Sequence, residues 1–161
     1  MDPTRFAREY EAAFVDDAVV TGRHELPPQA GVRYVAGVDP SGGSADAFTL
    51  AIVHREDSGR IVHDVMKGRG RVGTLAPDLA DVVREYVAIL TRYGCQDVVG
   101  DRYAGQWVRQ AFREAGIRYG DVDRDRSGYY LEVEPLFSQG RIDLLDHLPL
   151  AREWRALERR P

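Results

Sequence analysis

Two aspartates each end a short apolar run, and turn-forming residues follow each of them. Asp39 closes the run that begins at Val35, and Asp101 closes the run that begins at Asp97. Both runs are too short for helices, so we predict buried strands with a carboxylate at the carboxyl end. If the strands are neighbours, the two carboxylates converge into a site for a divalent metal, since hard cations prefer oxygen ligands. For either aspartate alone, a helix cap or an Asx-turn is an equally good explanation.

Composition indicates an ordinary globular chain of one domain. The 161 residues are 43% hydrophobic and 30% charged, with a net charge of −4, which is not the basic balance of an obvious nucleic-acid binder. A near-neutral total can still conceal a basic face beside an acidic pocket. Cys95 is the only cysteine, which excludes an intrachain disulfide and a zinc–thiolate cluster and favours a reducing cytosol. No apolar run approaches a membrane span, and the N-terminus is not a signal peptide.

The first 31 residues are predicted to be a helix and a linker rather than a domain. Phe6, Tyr10 and Phe14 lie on one face of a helix over residues 4–14, and residues 16–31 are polar and turn-rich. The main domain is expected to cover residues 32–161.

Strands are predicted next, over residues 33–39, 47–54 and 60–65, with a hairpin turn at 56–59. Short connections between them imply an antiparallel meander. Residues 67–71 are predicted to be a flexible basic loop. Its cations, Lys67, Arg69 and Arg71, are either solvated or in contact with phosphate. Two of the four scattered histidines, His54 and His63, are expected to be a surface pair across the hairpin.

Helices and strands alternate in the second half of the chain. Helical spacing of apolar residues, from Leu75 to Tyr93 and around Trp107, predicts two helices with inward faces. The expected order is a helix over 74–93, a strand over 97–101, a helix over 104–115, a strand over 117–122, a helix over 127–137, a strand over 141–145 and a helix from Pro149. A right-handed crossover makes the 97–101 strand parallel to the first. The result is an α/β protein of the ribonuclease H-like fold, a mixed sheet in which a three-strand antiparallel meander joins parallel strands between flanking helices.

Several segments resemble the C-terminal nuclease domain of phage terminase large subunits. The first is Gly37-Val38-Asp39-Pro40-Ser41-Gly42-Gly43 with Asp46, and the second is Val99-Gly100-Asp101-Arg102-Tyr103-Ala104-Gly105-Gln106-Trp107. The stretch from Tyr129 to Asp146 is similar to the segment that follows in that family. Residues 1–31 resemble the connection between packaging ATPase and nuclease.

The resemblance implies a metal-dependent DNA endonuclease, a phosphodiester hydrolase that cuts concatemeric double-stranded viral DNA. Its cofactor would be Mg²⁺ or Mn²⁺ in a two-metal site. Asp39 would bridge the metals, Asp101 would bind one of them, and Asp46 would lie at the edge of the site. Arg102 and the three basic residues of the 67–71 loop would contact DNA.

The third acid of the family lies beyond the last helix, and this sequence stops at Pro161, so we expect a C-terminally truncated domain that cuts poorly alone. Asp143 and Asp146 are the only internal substitutes, although strand alternation and helix capping explain them better.

The resemblance also implies partners: an N-terminal packaging ATPase, a small terminase subunit and a portal, in the bacterial host cytoplasm at the procapsid. The phosphate-binding loop of the ATPase does not occur in the sequence. Two alternatives remain. One is another ribonuclease H-like nuclease of the resolvase type, which a strongly basic surface would favour. The other is a non-catalytic assembly module, which an exposed apolar patch near Phe6, Tyr10 and Phe14 would favour.

Overall fold

A mixed sheet forms the centre of the molecule. The computed structural model describes residues 19–20, 24–40, 47–71, 75–102, 104–123 and 126–155. The elements in chain order are β1 (Val19–Val20), β2 (Tyr34–Asp39), β3 (Phe48–Arg55), β4 (Ile61–Arg69), α1 (Leu79–Arg92), β5 (Asp97–Gly100), α2 (Gln106–Glu114), β6 (Arg118–Asp121), α3 (Arg126–Ser138), β7 (Ile142–Leu144) and α4 (Leu148–Arg155). The predicted helix over 4–14 lies outside the described residues.

The strand order across the sheet is β1-β7-β4-β3-β2-β5-β6. Only β3 runs against its neighbours in this part of the chain, so β2, β3 and β4 form the predicted meander, while β2 pairs in parallel with β5 and β5 with β6. The tight turn after β3 has Gly59 at a φ of 81°, as its sequence predicts. The ribonuclease H-like arrangement predicted from the sequence is therefore confirmed.

The main core lies between one face of the sheet and helices α1 and α2. Alternate residues of β2 and β3 are buried, and α1 and α2 bury one stripe each, as the period-2 and helical patterns require. The central contacts come from Val38, Leu50, Ile52, Tyr86, Leu90 and Phe112. Tyr86 anchors α1 to the sheet because its buried hydroxyl donates to the carbonyl of Phe48 at 2.5 Å.

Both predicted crossover helices begin later than the sequence pattern suggested. The Asp78 side chain accepts from the amide of Ala80 at 2.8 Å, so α1 is capped there and Leu75, 76% exposed, lies outside it. Trp107 was expected to face inward, yet it is 48% exposed on α2. Helix α3 runs from Arg126 to Ser138, one residue longer at each end than the predicted helix over 127–137.

The predicted basic loop is a strand. Lys67, Gly68 and Arg69 extend β4 to nine residues, because β3 continues opposite them as far as Phe48. Backbone pairing with a long neighbour outweighs the weak strand preference of the lysine, the glycine and the arginine.

The predicted linker is partly a structural element of the domain. Val19 and Val20 pair in parallel with β7, and Leu26 is buried, with its amide donating to the carbonyl of Asp64 at 2.9 Å. The Tyr93 hydroxyl donates to the carbonyl of Leu26. The segment around Leu26 therefore packs against the rest of the domain, while the role of residues 1–31 as a connection between two domains stays a prediction.

A buried polar pair replaces the predicted surface histidines. A β-bulge between Ile52 and Val53 leaves Asp64 without a partner on β3 and turns it into the core. There it contacts the ring of His54, with Nδ1 of the histidine 2.8 Å from Oδ2 of the aspartate. His63 lies on the strand beside it and is only 6% exposed. Both histidines are therefore interior residues, and the bulge explains why sequence spacing did not reveal them.

Burial of His63 predicts acid sensitivity. Removal from water lowers the pKa of His63 to about 4 from its ordinary value of 6.5. Below pH 6.5 the unfolded chain binds a proton that the folded chain does not, so stability falls as the pH drops from 6.5 towards 4. We expect His63→Leu to reduce the stability lost between pH 7.5 and pH 5 by about 2 kcal/mol, measured by urea unfolding. His24→Gln, at an exposed histidine, is the control. An unchanged pH dependence in His63→Leu would contradict this account.

Candidate metal site

The two strand-end aspartates lie side by side. Parallel pairing sets Gly37 opposite Val99 and Val38 opposite Gly100, so the next residues along the two strands are Asp39 and Asp101. Neighbouring strands are about 4.8 Å apart, which places the two residues within reach of one ion. Both side chains are exposed.

Strand alternation decides which face the Asp39 carboxylate occupies. Tyr34, Ala36 and Val38 are buried against the helices, so Asp39 faces the other way. In β5 the buried residue is Val98, and Val99 is 43% exposed on the same outer face. Continuing this alternation through Gly100 puts Asp101 on the face of Asp39.

Gly100 is required by the close approach of two neighbouring strands. A Cβ atom at this position would lie 2.8 Å from the carbonyl oxygen of Val38 and would overlap the hydroxyl of Tyr119. Glycine therefore allows β2 and β5 to align and leaves space for the Tyr119 hydroxyl behind the two aspartates.

Three donors converge on the backbone carbonyl of Asp101. The Tyr119 hydroxyl donates at 3.1 Å, the amide of Ala104 at 3.0 Å and the guanidinium of Arg109 at 3.4 Å. The aspartate is therefore held through its main chain.

The negative charge of the site affects the pKa of Tyr119, the tyrosine that lies behind it. Burial raises the pKa of Tyr119 to about 12, and the nearby Arg109 opposes that rise. The carboxylates of Asp101, Asp121 and Asp39 add to the rise in that order. These carboxylates thus act on one half-buried tyrosine at the carboxyl edge of three adjacent strands.

Asp143 and Asp146, the other described candidate acids, do not lie at this edge. Asp46 lies outside the described residues. Asp143 on β7 pairs with Val62 on β4. Asp39 on β2 pairs with Thr49 on β3, which in turn pairs with Gly68 on β4. The distance from Asp39 to Asp143 is therefore about 20 Å along the strands and about 14 Å across them.

Asp143 is already held in an ion pair, since Arg60 Nη1 lies 2.7 Å from its Oδ1. Asp146 is exposed beyond β7, and its carbonyl oxygen lies 3.0 Å from Nδ1 of His24. The sheet therefore separates both aspartates from Asp39.

The basic residues divide between the two faces of the sheet. Lys67 and Arg69 sit opposite the core residues Leu50 and Phe48, on the face that carries α1. Lys67 pairs with Glu25 at 2.7 Å, and Arg69 forms a two-pronged ion pair with Glu85. Arg102 is exposed directly after Asp101, and Arg71 is exposed just beyond the end of β4. Arg102 thus directly follows Asp101 in the chain, whereas Lys67 and Arg69 lie on the helical face.

Sequence inspection passed over three residues behind the site, Tyr119, Arg109 and Asp121. Asp121 ends β6 and pairs with Arg109 at 2.5 Å. The available signal was its position at the end of a third predicted strand, where Asp39 and Asp101 also stand.

The donor set fits a divalent cation. Two carboxylates on adjacent strands supply hard oxygen ligands and negative charge. Within the part of the chain that the structure describes, no cluster of three or more histidine, cysteine, aspartate or glutamate side chains is close enough to hold a metal. The pair would therefore hold its ion weakly, with most of the coordination shell left to water.

No helix among the described residues is long and apolar enough to cross a membrane.

Enlarging Gly100 should separate the two strands at the site. We expect Gly100→Ala to destabilise the fold by about 2 kcal/mol, because the new methyl group must displace Tyr119 or the β2 backbone. Chemical denaturation measures the loss. Gly105→Ala is the control, since a Cβ there meets no atom within 4 Å. Equal stability of the two variants would show that the strands approach less closely than described.

Comparison with known proteins gives structural relatives only. No protein-family model and no curated protein matches the sequence. The nuclease of the large terminase from thermophilic phage G20c matches with a TM-score of 0.72 at 15% identity, over 91% of this chain and 80% of that one. The large terminase of bacteriophage HK97 matches with a TM-score of 0.64 at 16% identity, over 91% of this chain but 34% of its own length.

A viral relative outside the phages has the same arrangement. The human cytomegalovirus terminase nuclease domain, soaked with manganese and bound to an inhibitor, matches with a TM-score of 0.55 at 11% identity, over 94% of this chain and 85% of that one. This chain spans about a third of the complete HK97 large terminase. It has the ribonuclease H-like fold of the nuclease domains of large terminases.

Proposed function

We propose that this chain is the nuclease part of a viral DNA-packaging terminase and cuts concatemeric double-stranded DNA with Mg²⁺ or Mn²⁺. The observation that carries the proposal is the in-register placement of Asp39 beside Asp101 at the carboxyl edge of β2 and β5. The same fold in terminase nucleases supports the substrate class.

Asp39 and Asp101 would hold the metal through carboxylate oxygens, with Asp39 shared between two ions. When bound, a pair of divalent ions supplies an activated water and stabilises the leaving oxygen of the scissile phosphodiester. The chain's own part is to fix the two carboxylates on one face and to keep that face open to a duplex. Asp46 stays a candidate for the edge of the site.

Charge limits how tightly the described residues can bind metal. Two aspartates supply a charge of −2 against +4 for two divalent ions, and a DNA phosphate adds one further negative charge. Metal binding by the chain alone should therefore be weak, and cleavage slow. In the family the large subunit carries a packaging ATPase and works with a small subunit and a portal at the procapsid, and we propose the same partners here.

Metal binding should raise the melting temperature. At a Mn²⁺ concentration ten times the dissociation constant, the folded state gains about 1.4 kcal/mol, which corresponds to a rise of about 4 °C. Asp39→Asn and Asp101→Asn should each abolish the rise, as followed by differential scanning calorimetry. The control is Asp57→Asn, which alters an exposed aspartate in the hairpin turn.

The same variants test the reaction itself. Mn²⁺-dependent nicking of supercoiled plasmid should fall by about 100-fold or more in Asp39→Asn and persist in Asp57→Asn. Nicking that survives Asp39→Asn would remove this aspartate from the site. A Mn²⁺ response lost in neither aspartate variant would refute the metal site.

We expect DNA to contact the outer face of the sheet, which carries the carboxylates, rather than the helical face. Arg102 directly follows Asp101 in the chain and is exposed, so Arg102→Ala should weaken duplex binding regardless of sequence and lower the slope of log affinity against log salt by about one. The matched variant is Lys67→Ala with Arg69→Ala, which removes two cations engaged on the α1 face. Fluorescence anisotropy over a salt series measures both. A larger effect from Lys67 and Arg69 would place the DNA path on the helical face.

A further inference from the structure

Arg109 binds the loop that carries Asp101. It lies in the first turn of α2, and its guanidinium faces the segment between β5 and α2. Its Nη2 lies 2.5 Å from the carbonyl oxygen of Arg102 and 3.4 Å from that of Asp101, and its Nε lies 3.3 Å from that of Ala104. One side chain thus donates to three main-chain oxygens within four residues.

The guanidinium has two further partners, and its Nη2 atom makes one of these contacts as well. It pairs with the carboxylate of Asp121 at 2.5 Å and lies over the ring of Tyr119, with its central carbon 5.0 Å from the ring centroid. Asp121 ends β6 and stands opposite Gly100 in the sheet. Arg109 therefore ties the loop to the last strand of the sheet.

Asp121, the partner of Arg109, does not lie on the face of the proposed metal site. Asp121 shares the face of Gly100, which is the face of the helices, whereas Asp39 and Asp101 lie on the outer face. A cation behind a cation site would repel the metal unless it were neutralised. Asp121 supplies that neutralising charge, so the arginine can hold the loop without opposing the ion.

We propose that Arg109 is a positioning residue, which sets the direction of the Asp101 carboxylate by fixing the main chain of Asp101 and of the residues that follow it, with Asp121 as its counter-charge. The proposal rests on the metal site described under the proposed function. A planar guanidinium can donate to several carbonyls and a carboxylate at once, whereas a lysine ammonium is a compact point charge on a flexible stem. The geometry therefore requires arginine rather than any cation.

The chain contains a matched control. Arg118 and Asp97 form a two-pronged ion pair between the same two strands, β5 and β6, with distances of 2.5 and 2.7 Å. That pair lies at the opposite ends of the strands, four residues from Asp101. Arg118→Gln therefore removes an equivalent ion pair without touching the loop.

The decisive measurement is Mn²⁺ affinity of the whole chain, taken from the electron paramagnetic resonance signal of free Mn²⁺. We expect Arg109→Gln and Arg109→Lys each to raise the dissociation constant by about tenfold, as the loss of an outer-shell support does. Arg118→Gln should leave it within about twofold of the wild type. Hydrogen exchange at the amide of Ala104, which donates to Asp101, should accelerate in the Arg109 variants only.

The outcomes separate this inference from the proposed function. If the Arg109 variants bind Mn²⁺ like the wild type while Asp39→Asn does not, the inference is wrong and the metal site stands. If the wild type binds no Mn²⁺, the metal site is wrong and Arg109 positions no ligand. In that case faster exchange at Ala104 would still establish that Arg109 holds the loop, and unchanged exchange would refute that as well.

Discussion

The in-register parallel pairing of β2 with β5 is the constraint on which the rest of the site depends. It sets Asp39 beside Asp101, and it is possible only because Gly100 leaves room for the carbonyl of Val38 and the hydroxyl of Tyr119. A shift of one residue in either strand would turn one carboxylate into the apolar core. The register of β2 and β5, the glycine at position 100 and the pairing of the two carboxylates therefore depend on one another.

The two candidate metal ligands and the residues that support them lie on opposite faces of the sheet. On the helical face, Tyr119, Arg109 and Asp121 hold the main chain around Asp101 from behind. On the outer face the carboxylates stay exposed. This division lets the core remain apolar and well packed while the charged groups that a metal would need meet water. It also explains why the supporting residues come from α2 and β6, the elements that lie against β5.

At the other end of the sheet a second polar cluster is entirely structural. The bulge at Asp64 brings a carboxylate to His54 in the core, and burial raises the pKa of Asp64 while the histidine opposes that rise. The segment around Leu26 closes over this region through hydrogen bonds with Asp64 and Tyr93. A buried, paired charge stays compatible with folding only when its partners are in place, and the Leu26 segment forms part of the surroundings of this pair.

Local sequence pattern determined much of this protein by itself. Apolar runs ending in aspartate, helical stripes and turn glycines were enough for the order of strands and helices, the meander and the two neighbouring carboxylates. Tertiary structure decided the remainder. The basic stretch after Val65 became a strand because β3 lies beside it, Lys67 and Arg69 turned away from the carboxylates, and the bulge buried two histidines. Arg109, Tyr119 and Asp121 acquired roles only by folding, because their contacts join residues whose proximity depends on strand order and register, which no short window of sequence contains.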